Sequence, residues 1–260
     1  MWTRIGDWHY VLGGRTGMWM SRDLLGPYWA RPGVDPASIA RPRWTPYDGL
    51  VVPQICVHRG RAILSGWTGN YAFGGHLVFR EVVQEADGTL GTRFLEETMP
   101  ERRDVLPMFP PTSVPADGIV RLDGFAGPLR VRLELEPDAG CTAFGLLVGD
   151  LELRCEPARA RMQWGMRRGD APAPEARGPR CHSEDFALRD VEGLDRRLVL
   201  ELVILDDAKS GNTLVDACLN GQRTMLTRRR DLAHRTLGLF ARGADLRIRG
   251  LTAWRLAWPG

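Results

Sequence analysis

Lysine is almost absent from this chain. Lys209 is the single lysine among 35 basic residues, and the formal net charge is only +3 over 260 residues. The densest basic run, Arg228-Arg229-Arg230, is followed directly by Asp231, a pattern typical of a solvated turn and not of a phosphate-binding patch. We therefore expect no nucleic-acid partner.

Paired cysteines and long apolar runs are missing too. The five cysteines are odd in number and show no C-x-x-C spacing, which argues against a disulfide framework and against a zinc site; we expect no metal and no other cofactor. No apolar run approaches the ~18 residues of a membrane span, and the first residues lack the pattern of a secretory signal. The default expectation is a cytoplasmic protein without a membrane partner, or a secreted one if the chain is a fragment.

Short apolar runs bounded by Gly, Pro or Asp occur along the whole chain, and no stretch longer than two turns keeps a helical period. In residues 130–136 and 198–204 apolar side chains alternate with charged or polar ones, as in an antiparallel sheet with one solvated face. We therefore predict an all-β fold with little helix. The predicted strands centre on residues 8–12, 18–20, 50–52, 62–64, 77–79, 130–136, 151–154, 198–205, 237–240, 246–248 and 251–256.

A proline-rich segment separates two parts of the chain. Five prolines fall between Met99 and Pro115, too many for the interior of a strand or helix, so the segment is predicted to be an ordered linker. The predicted organisation is a first domain at residues 1–97, a linker at 98–116 and a second domain at 117–260. A further Pro-containing loop at 167–180 is predicted as an insertion in the second domain.

The first domain contains two similar units of strand, turn, strand and polar turn, one beginning near Gly6 and the other near His58. A repeat of about fifty residues built from antiparallel strands is typical of β-propeller blades. Two blades cannot close a propeller. The sequence therefore predicts a partial β-propeller with unburied sheet faces.

Three motifs of the second unit carry a family resemblance. They are Asp48-Gly-Leu-Val-Val-Pro-Gln54, Ile63-Leu-Ser-Gly-Trp67 and Phe79-Arg-Glu-Val82. In order and spacing they resemble the end of the five-bladed propeller of family 32 glycoside hydrolases, the invertase, levanase and inulinase group. The aromatic residue that this family places after its Asp is replaced here by Leu50 and Val51.

The second domain resembles the jelly-roll or concanavalin-like β-sandwich that follows the propeller in the same family. The segment from Leu214 to Thr227 matches its hairpin around Asn-Gly, and the run from Leu251 to Leu256 its closing strand. Turn preferences predict the same hairpin independently of the resemblance. Asn220-Gly221 between apolar runs favours a type I′ turn, in which both positions take positive φ.

The resemblance implies a retaining two-carboxylate mechanism but not the residues to perform it. The family's nucleophile lies in Asn-Asp-Pro-Asn, its stabilising Asp in Arg-Asp-Pro and its acid/base in Glu-Cys, and none of these motifs occurs here. The catalytic residues are therefore unknown. The resemblance leaves Asp48, Gln54 and Trp67 as candidate substrate-binding residues on the far wall of the pocket.

Each candidate also has a purely structural interpretation. Trp67 suits a blade core as well as a sugar platform, and Asp48, before Gly49, suits a turn cap. Arg80 and Glu81 are predicted to form a structural ion pair that holds the last blade strand to the linker.

Three functions remain open. The first is the C-terminal portion or a subunit of a fructofuranosidase-like glycoside hydrolase that needs N-terminal blades for catalysis. The second is a non-catalytic carbohydrate-binding or accessory module, and the third is a structural assembly subunit. The first two predict a carbohydrate ligand. All three predict that another polypeptide or another copy covers the open propeller faces.

Overall fold

The computed structural model describes residues 1–13, 18–29, 46–68, 76–107, 112–122, 127–167, 186–207, 211–230, 232 and 236–257. These residues form 21 strands in four sheets, with short 3-10 turns at Glu96–Thr98 and Pro157–Arg159 and no α-helix. The all-β prediction is confirmed. No helix within the described ranges is long and apolar enough to cross a membrane.

Two small antiparallel sheets occupy the first part of the chain, one for each of the predicted repeat units. The first sheet has three strands, with an added bridge between Met20 and Trp29. The second has four strands in sequential order. The strands are β1 (Trp2–Ile5), β2 (Trp8–Leu12) and β3 (Met18–Ser21), then β5 (Leu50–His58), β6 (Arg61–Thr68), β7 (Leu77–Gln84) and β8 (Leu90–Phe94).

The two small sheets share one apolar core and are joined by polar contacts. Tyr10, 0% exposed, donates its hydroxyl to the carbonyl of Gly88 and receives the side-chain N–H of Gln84. The same Gln84 nitrogen donates to the carbonyl of Ile5 at 2.9 Å. A Cβ on Gly88, at φ +89°, would lie 2.3 Å from the ring of Trp8. Glycine is therefore required where the two sheets meet.

The rest of the chain forms a sandwich of an eight-stranded and a six-stranded sheet. The larger sheet contains β4 (Tyr47–Asp48), β9 (Glu101–Leu106), β10 (Ser113–Val114), β12 (Leu129–Pro137), β17 (Leu198–Asp207), β18 (Asn212–Leu219), β19 (Arg223–Arg230) and β21 (Leu246–Ala257). The smaller contains β11 (Ile119–Leu122), β13 (Ala143–Val148), β14 (Leu151–Glu156), β15 (Arg161–Met166), β16 (Ala187–Leu188) and β20 (Leu237–Arg242).

The inner faces of the two sheets pack into the largest core of the molecule. Trp164 is fully buried in it and donates its indole N–H to the carbonyl of Met225 at 3.0 Å, which ties one sheet to the other. The predicted hairpin lies between β18 and β19, and Asn220 and Gly221 take φ values of 51° and 65°. The type I′ prediction is confirmed.

Two local expectations about strands were wrong. The proline-rich segment, expected to hold no strand, contains β9 and β10, because Pro100 and Pro107 lie just outside β9 and leave its backbone free to pair with β21. The basic run predicted as a turn is the end of β19, where Arg228 and Arg229 pair with β18. The domain boundaries stay predictions, and residues 168–180 of the predicted insertion lie outside the described residues.

Candidate functional site

Two of the candidate substrate-binding residues lie on the same face of the β5–β8 sheet. Along β6, side chains alternate between half-buried and buried positions, and Trp67 belongs to the half-buried set. Across the strands, Trp67 lies between Val51 and Leu77, and in the next row Ser65 lies between Gln54 and Phe79. We call this surface, with Val51, Gln54, Ser65, Trp67, Leu77 and Phe79, the outer blade face.

The outer blade face reaches β5, the edge strand of its sheet in the part of the chain that the structure describes. Strand β5 is terminal in the sheet order, and Gln54 on it is exposed. The pairing between β5 and β6 is interrupted between Val51 and Gln54, where Val52 takes a φ of 52°. This bulge turns the strand locally. Trp67 and Gln54 therefore offer an aromatic ring and an amide in neighbouring rows, a combination suited to a sugar's C–H surface and hydroxyl groups.

Asp48 lies elsewhere, in the seam between the blades and the sandwich. It is 6% exposed, and β4 pairs in parallel with β19. Its Oδ1 accepts the backbone N–H of Gly49 at 2.7 Å, and its Oδ2 accepts that of Ala187 at 2.9 Å. Burial, followed by the charge of Asp48, raises the pKa of neighbouring Tyr47. The structure thus does not bring Asp48 onto the outer blade face, and its ligand role remains a prediction.

Arg80 and Glu81 do not pair with each other, so the predicted ion pair between them is wrong. Adjacent residues of a strand point to opposite faces of the sheet. Arg80 is 0% exposed and its Nη2 donates to Oδ2 of Asp216 on β18 at 2.5 Å. The ring of Phe94 lies 5.4 Å from the Arg80 guanidinium carbon. Arg80 therefore joins the blade sheet to the sandwich.

Glu81 lies on the opposite face, among exposed and half-exposed arginines. It accepts from Arg93 at 2.9 Å and from Arg61 at 3.0 Å, and Arg61 also binds Glu97. The hydrogen bond from Arg93, followed by that from Arg61, lowers the pKa of Glu81 to about 2. Glu81 is thus connected through Arg61 to the segment after β8, and it stays ionised at neutral pH.

Asp216 was not among the candidates, although β18 carried a signal for it. It interrupts an otherwise apolar run, Leu214-Val-Asp-Ala-Cys-Leu219. The structure buries it to 2% exposure, and burial raises its pKa to about 6 despite the opposing charge of Arg80. A buried charged residue needs a partner of opposite charge. An acidic residue within an apolar strand therefore indicates a contact with another part of the protein, and Asp216 could have been predicted on this basis.

Asp216 and Glu81 are not arranged as an acid and a nucleophile for glycoside cleavage. Such a mechanism uses one carboxyl with a raised pKa and one ionised carboxylate facing the same bond. Asp216 has the raised pKa but is closed in by Arg80, while Glu81 is held by two arginines. The described residues contain no group of three or more His, Cys, Asp or Glu side chains placed to hold a metal.

Comparisons with solved structures show the fold. The chain is similar to fructan 1-exohydrolase IIa from Cichorium intybus, with a TM-score of 0.54 at 11% identity over 80% of this chain and 48% of that one. It is similar to exo-inulinase from Aspergillus awamori, with a TM-score of 0.55 at 10% identity over 96% and 53%. It is also similar to β-fructofuranosidase from Aspergillus kawachii, with a TM-score of 0.52 at 14% identity over 76% and 43%.

No family model and no curated protein sequence matches the chain. The chain spans about half the length of each of these three structures. The fold is therefore fructofuranosidase-like, and at this level of identity the likeness shows the architecture alone.

Proposed function

We propose that this chain is the C-terminal portion or a subunit of a fructofuranosidase-like glycoside hydrolase that acts on fructosyl or related glycosidic bonds. The observation that carries the proposal is the outer blade face, where Trp67 and Gln54 lie together on a fold similar to those of fructan-cleaving enzymes. In this proposal the chain supplies one wall of the sugar site. The nucleophile and the acid/base come from blades that are not part of this chain.

The open edge of β5 supports a polypeptide as the partner. An exposed edge strand presents unpaired N–H and C=O groups that another strand can extend. Val52 and Val57 on β5 are 43% and 63% exposed. Blades that carry Asn-Asp-Pro and Glu-Cys motifs would both cover this apolar surface and bring the missing carboxylates towards Trp67.

Activity with and without those blades tests the proposal. The chain is expressed alone and together with the polypeptide encoded directly upstream of it, and release of fructose from sucrose and from inulin is measured. We expect no release by the chain alone and release by the pair. If the upstream sequence encodes no such blades, or the pair forms and releases no fructose from either sugar, the hydrolase proposal is wrong.

The alternative of a non-catalytic carbohydrate-binding module rests on the same outer blade face, together with acids that are held by arginines. It predicts saturable glycan binding without cleavage, whatever polypeptide is added. The third alternative, a structural assembly subunit, rests on the exposed β5 edge and predicts a stable complex without glycan binding.

Substitution of Trp67 separates glycan binding from assembly. If the indole is a sugar platform, Trp67→Ala should weaken glycan binding by about fivefold or more, because an aromatic contact contributes about 1 kcal/mol. The matched control is Trp2→Ala, which removes a 51%-exposed indole from the first sheet. Equal glycan affinity of wild type and Trp67→Ala would leave Trp67 only a structural role.

A further inference from the structure

The turn between β18 and β19 carries a reactive amide at an exposed position. It consists of Asn220 and Gly221, and Asn220 is exposed. In an Asn-Gly sequence, the backbone nitrogen of the glycine can attack the side-chain carbonyl carbon of the asparagine and close a five-membered ring. Glycine favours this ring closure, because it has no side chain to hinder the attack.

The hairpin leaves the attacking nitrogen accessible. The backbone N–H of Gln222 closes the turn by donating to the carbonyl of Leu219 at 2.9 Å, whereas that of Gly221 donates to no acceptor among the described residues. A Cβ added to Gly221 would meet no described atom within 4 Å. The nitrogen of Gly221 can therefore lose its proton to water.

The amide carbonyl of Asn220 is held by β17. Its Oδ1 accepts the backbone N–H of Val199 at 2.8 Å, and the backbone N–H of Asn220 donates to the carbonyl of Val199 at 2.8 Å. Negative charge develops on Oδ1 when the glycine nitrogen attacks. An N–H donor at this distance stabilises such charge, as the donors of an oxyanion hole do.

We propose that Asn220 is a site of spontaneous deamidation in the folded protein. The Gly221 nitrogen gives its proton to water, and its electron pair forms a bond to Cγ of Asn220. The bond between Cγ and the side-chain nitrogen breaks, and this nitrogen leaves as ammonia after taking a proton from water. A water molecule then opens the cyclic imide at either of its two carbonyls, which yields aspartate or isoaspartate.

The two products differ in their effect on the fold. Aspartate leaves the backbone of the turn unchanged and keeps an acceptor oxygen for the N–H of Val199. Isoaspartate places the side-chain methylene in the backbone, so the turn gains one atom and the register between β18 and β19 is disturbed. That register positions Gln222, whose carbonyl accepts the backbone N–H of Thr92 at 2.7 Å and whose side chain donates to Glu85 at 2.9 Å. Isoaspartate should therefore loosen the contact between the sandwich and the blade sheet.

Asn212 supplies an internal comparison. One tryptic peptide, residues 210–223, contains both asparagines. Asn212 precedes Thr213 and is 5% exposed on β18, so its ring closure requires the strand to open locally. The folded chain alone is incubated at a slightly alkaline pH in heavy-oxygen water, and fragmentation of the peptide locates the incorporated oxygen. We expect Asn220 to convert faster than Asn212 by about tenfold or more.

Gly221→Ala tests the attacking residue, and Gly211→Ala is its matched control. The two glycines have φ values of 65° and 66°, and an added Cβ meets no described atom within 4 Å at either position. The two substitutions therefore impose similar backbone strain. A methyl group beside the attacking nitrogen should slow the conversion of Asn220 by about tenfold in Gly221→Ala, and Gly211→Ala should leave the rate unchanged.

Three outcomes would overturn the proposal. The first is conversion of Asn212 as fast as that of Asn220, and the second is an equal rate at Asn220 in the two glycine variants. The third is conversion of Asn220 only in concentrated urea, which would show that the folded hairpin protects the amide. None of these measurements depends on the proposed hydrolase function, because no substrate or partner is added.

Stability measurements test the difference between the products. The isoaspartyl form is isolated by chromatography after incubation, and its unfolding in urea is compared with that of wild type and of Asn220→Asp. We expect the isoaspartyl form to unfold at a lower urea concentration than wild type, and Asn220→Asp to unfold at the same concentration. An isoaspartyl form as stable as wild type would refute the effect on the register.

Discussion

Removing Asp216 from its buried pair with Arg80 should destabilise the protein more than removing Arg80. The perturbations are Asp216→Val, Arg80→Met and the double variant, with the free energy of unfolding measured by urea denaturation. Asp216→Val leaves the guanidinium of Arg80, 0% exposed, without its counter-ion. Because an arginine cannot lose its proton in a protein, we expect the loss usual for breaking a buried pair, about 3–5 kcal/mol.

Arg80→Met should cost much less, because Asp216 can take up a proton. Burial raises the pKa of Asp216 in the folded protein to about 6, against an ordinary value of 3.8. Protonating a group with this pKa at pH 7 costs about 1 kcal/mol, and we expect a loss of this order in Arg80→Met, well below that in Asp216→Val.

The double variant tests whether the two side chains act as a unit. Replacing both members of a buried pair with apolar groups is often neutral or stabilising, so we expect a stability within about 1 kcal/mol of wild type or above it. Fluorescence of the nine tryptophans reports the transition. Equal losses in the two single variants, or a double loss equal to their sum, would refute this account of the pair.

The pH dependence has a definite sign. Because the folded pKa of Asp216 is raised, the native state binds more protons than the unfolded state between pH values of 3.8 and about 6. The contribution of Asp216 to stability is therefore largest below this window and falls as the pH rises through it. The stability difference between wild type and Asp216→Val should change across this window and level off above it. A difference that is constant with pH would contradict the raised pKa.

Three further predictions concern other parts of the molecule. Gly49→Ala should lower the free energy of unfolding, measured by urea denaturation, by more than about 2 kcal/mol. Gly49 has φ +87°, and an added Cβ would lie 1.9 Å from the carbonyl oxygen of Leu226. A loss below about 0.5 kcal/mol would argue against this close approach. Glu81→Gln should lower the free energy of unfolding at neutral pH by about 1 kcal/mol or less, since the ion pairs of Glu81 with Arg61 and Arg93 are partly solvated. This loss should vanish as the pH falls from 4.5 towards about 2, where Glu81 becomes protonated. A loss that persists at that pH would contradict the lowered pKa of Glu81. Brief maleimide treatment should label exposed Cys56 before Cys155 and Cys218, because burial raises the pKa of those two thiols to about 12. Peptide mass analysis detects the labelled cysteines. Equal labelling of the three would contradict the burial of Cys155 and Cys218.

Much of the secondary structure was accessible from local pattern. The alternation in residues 130–136 and 198–204 predicted two strands, and the structure has them as neighbours in one sheet, β12 and β17. The hairpin at Asn220-Gly221 was equally accessible, because its turn depends on two consecutive positive φ values that few residues tolerate. Both predictions rest on properties that a few consecutive residues carry by themselves.

The expectation that the proline-rich segment holds no strand failed because the proline content was applied to the whole segment. Proline excludes a strand only at its own position and where its missing N–H is needed. The six residues of β9 between Pro100 and Pro107 contain no proline, and β21 supplies the pairing partner. Whether a neighbouring strand is available for pairing depends on the sheet and cannot be predicted from the segment alone.

By itself, the sequence determined the all-β class and the type I′ hairpin. Only the tertiary structure decided that Arg80 pairs with Asp216, 136 positions away, and that Asp48 binds the backbone of Ala187, 139 positions away. Strand periodicity fixes which face a side chain takes within its own sheet. What lies opposite that face depends on how the sheets pack against each other, and that packing placed the buried carboxyl of Asp216 against the guanidinium of Arg80.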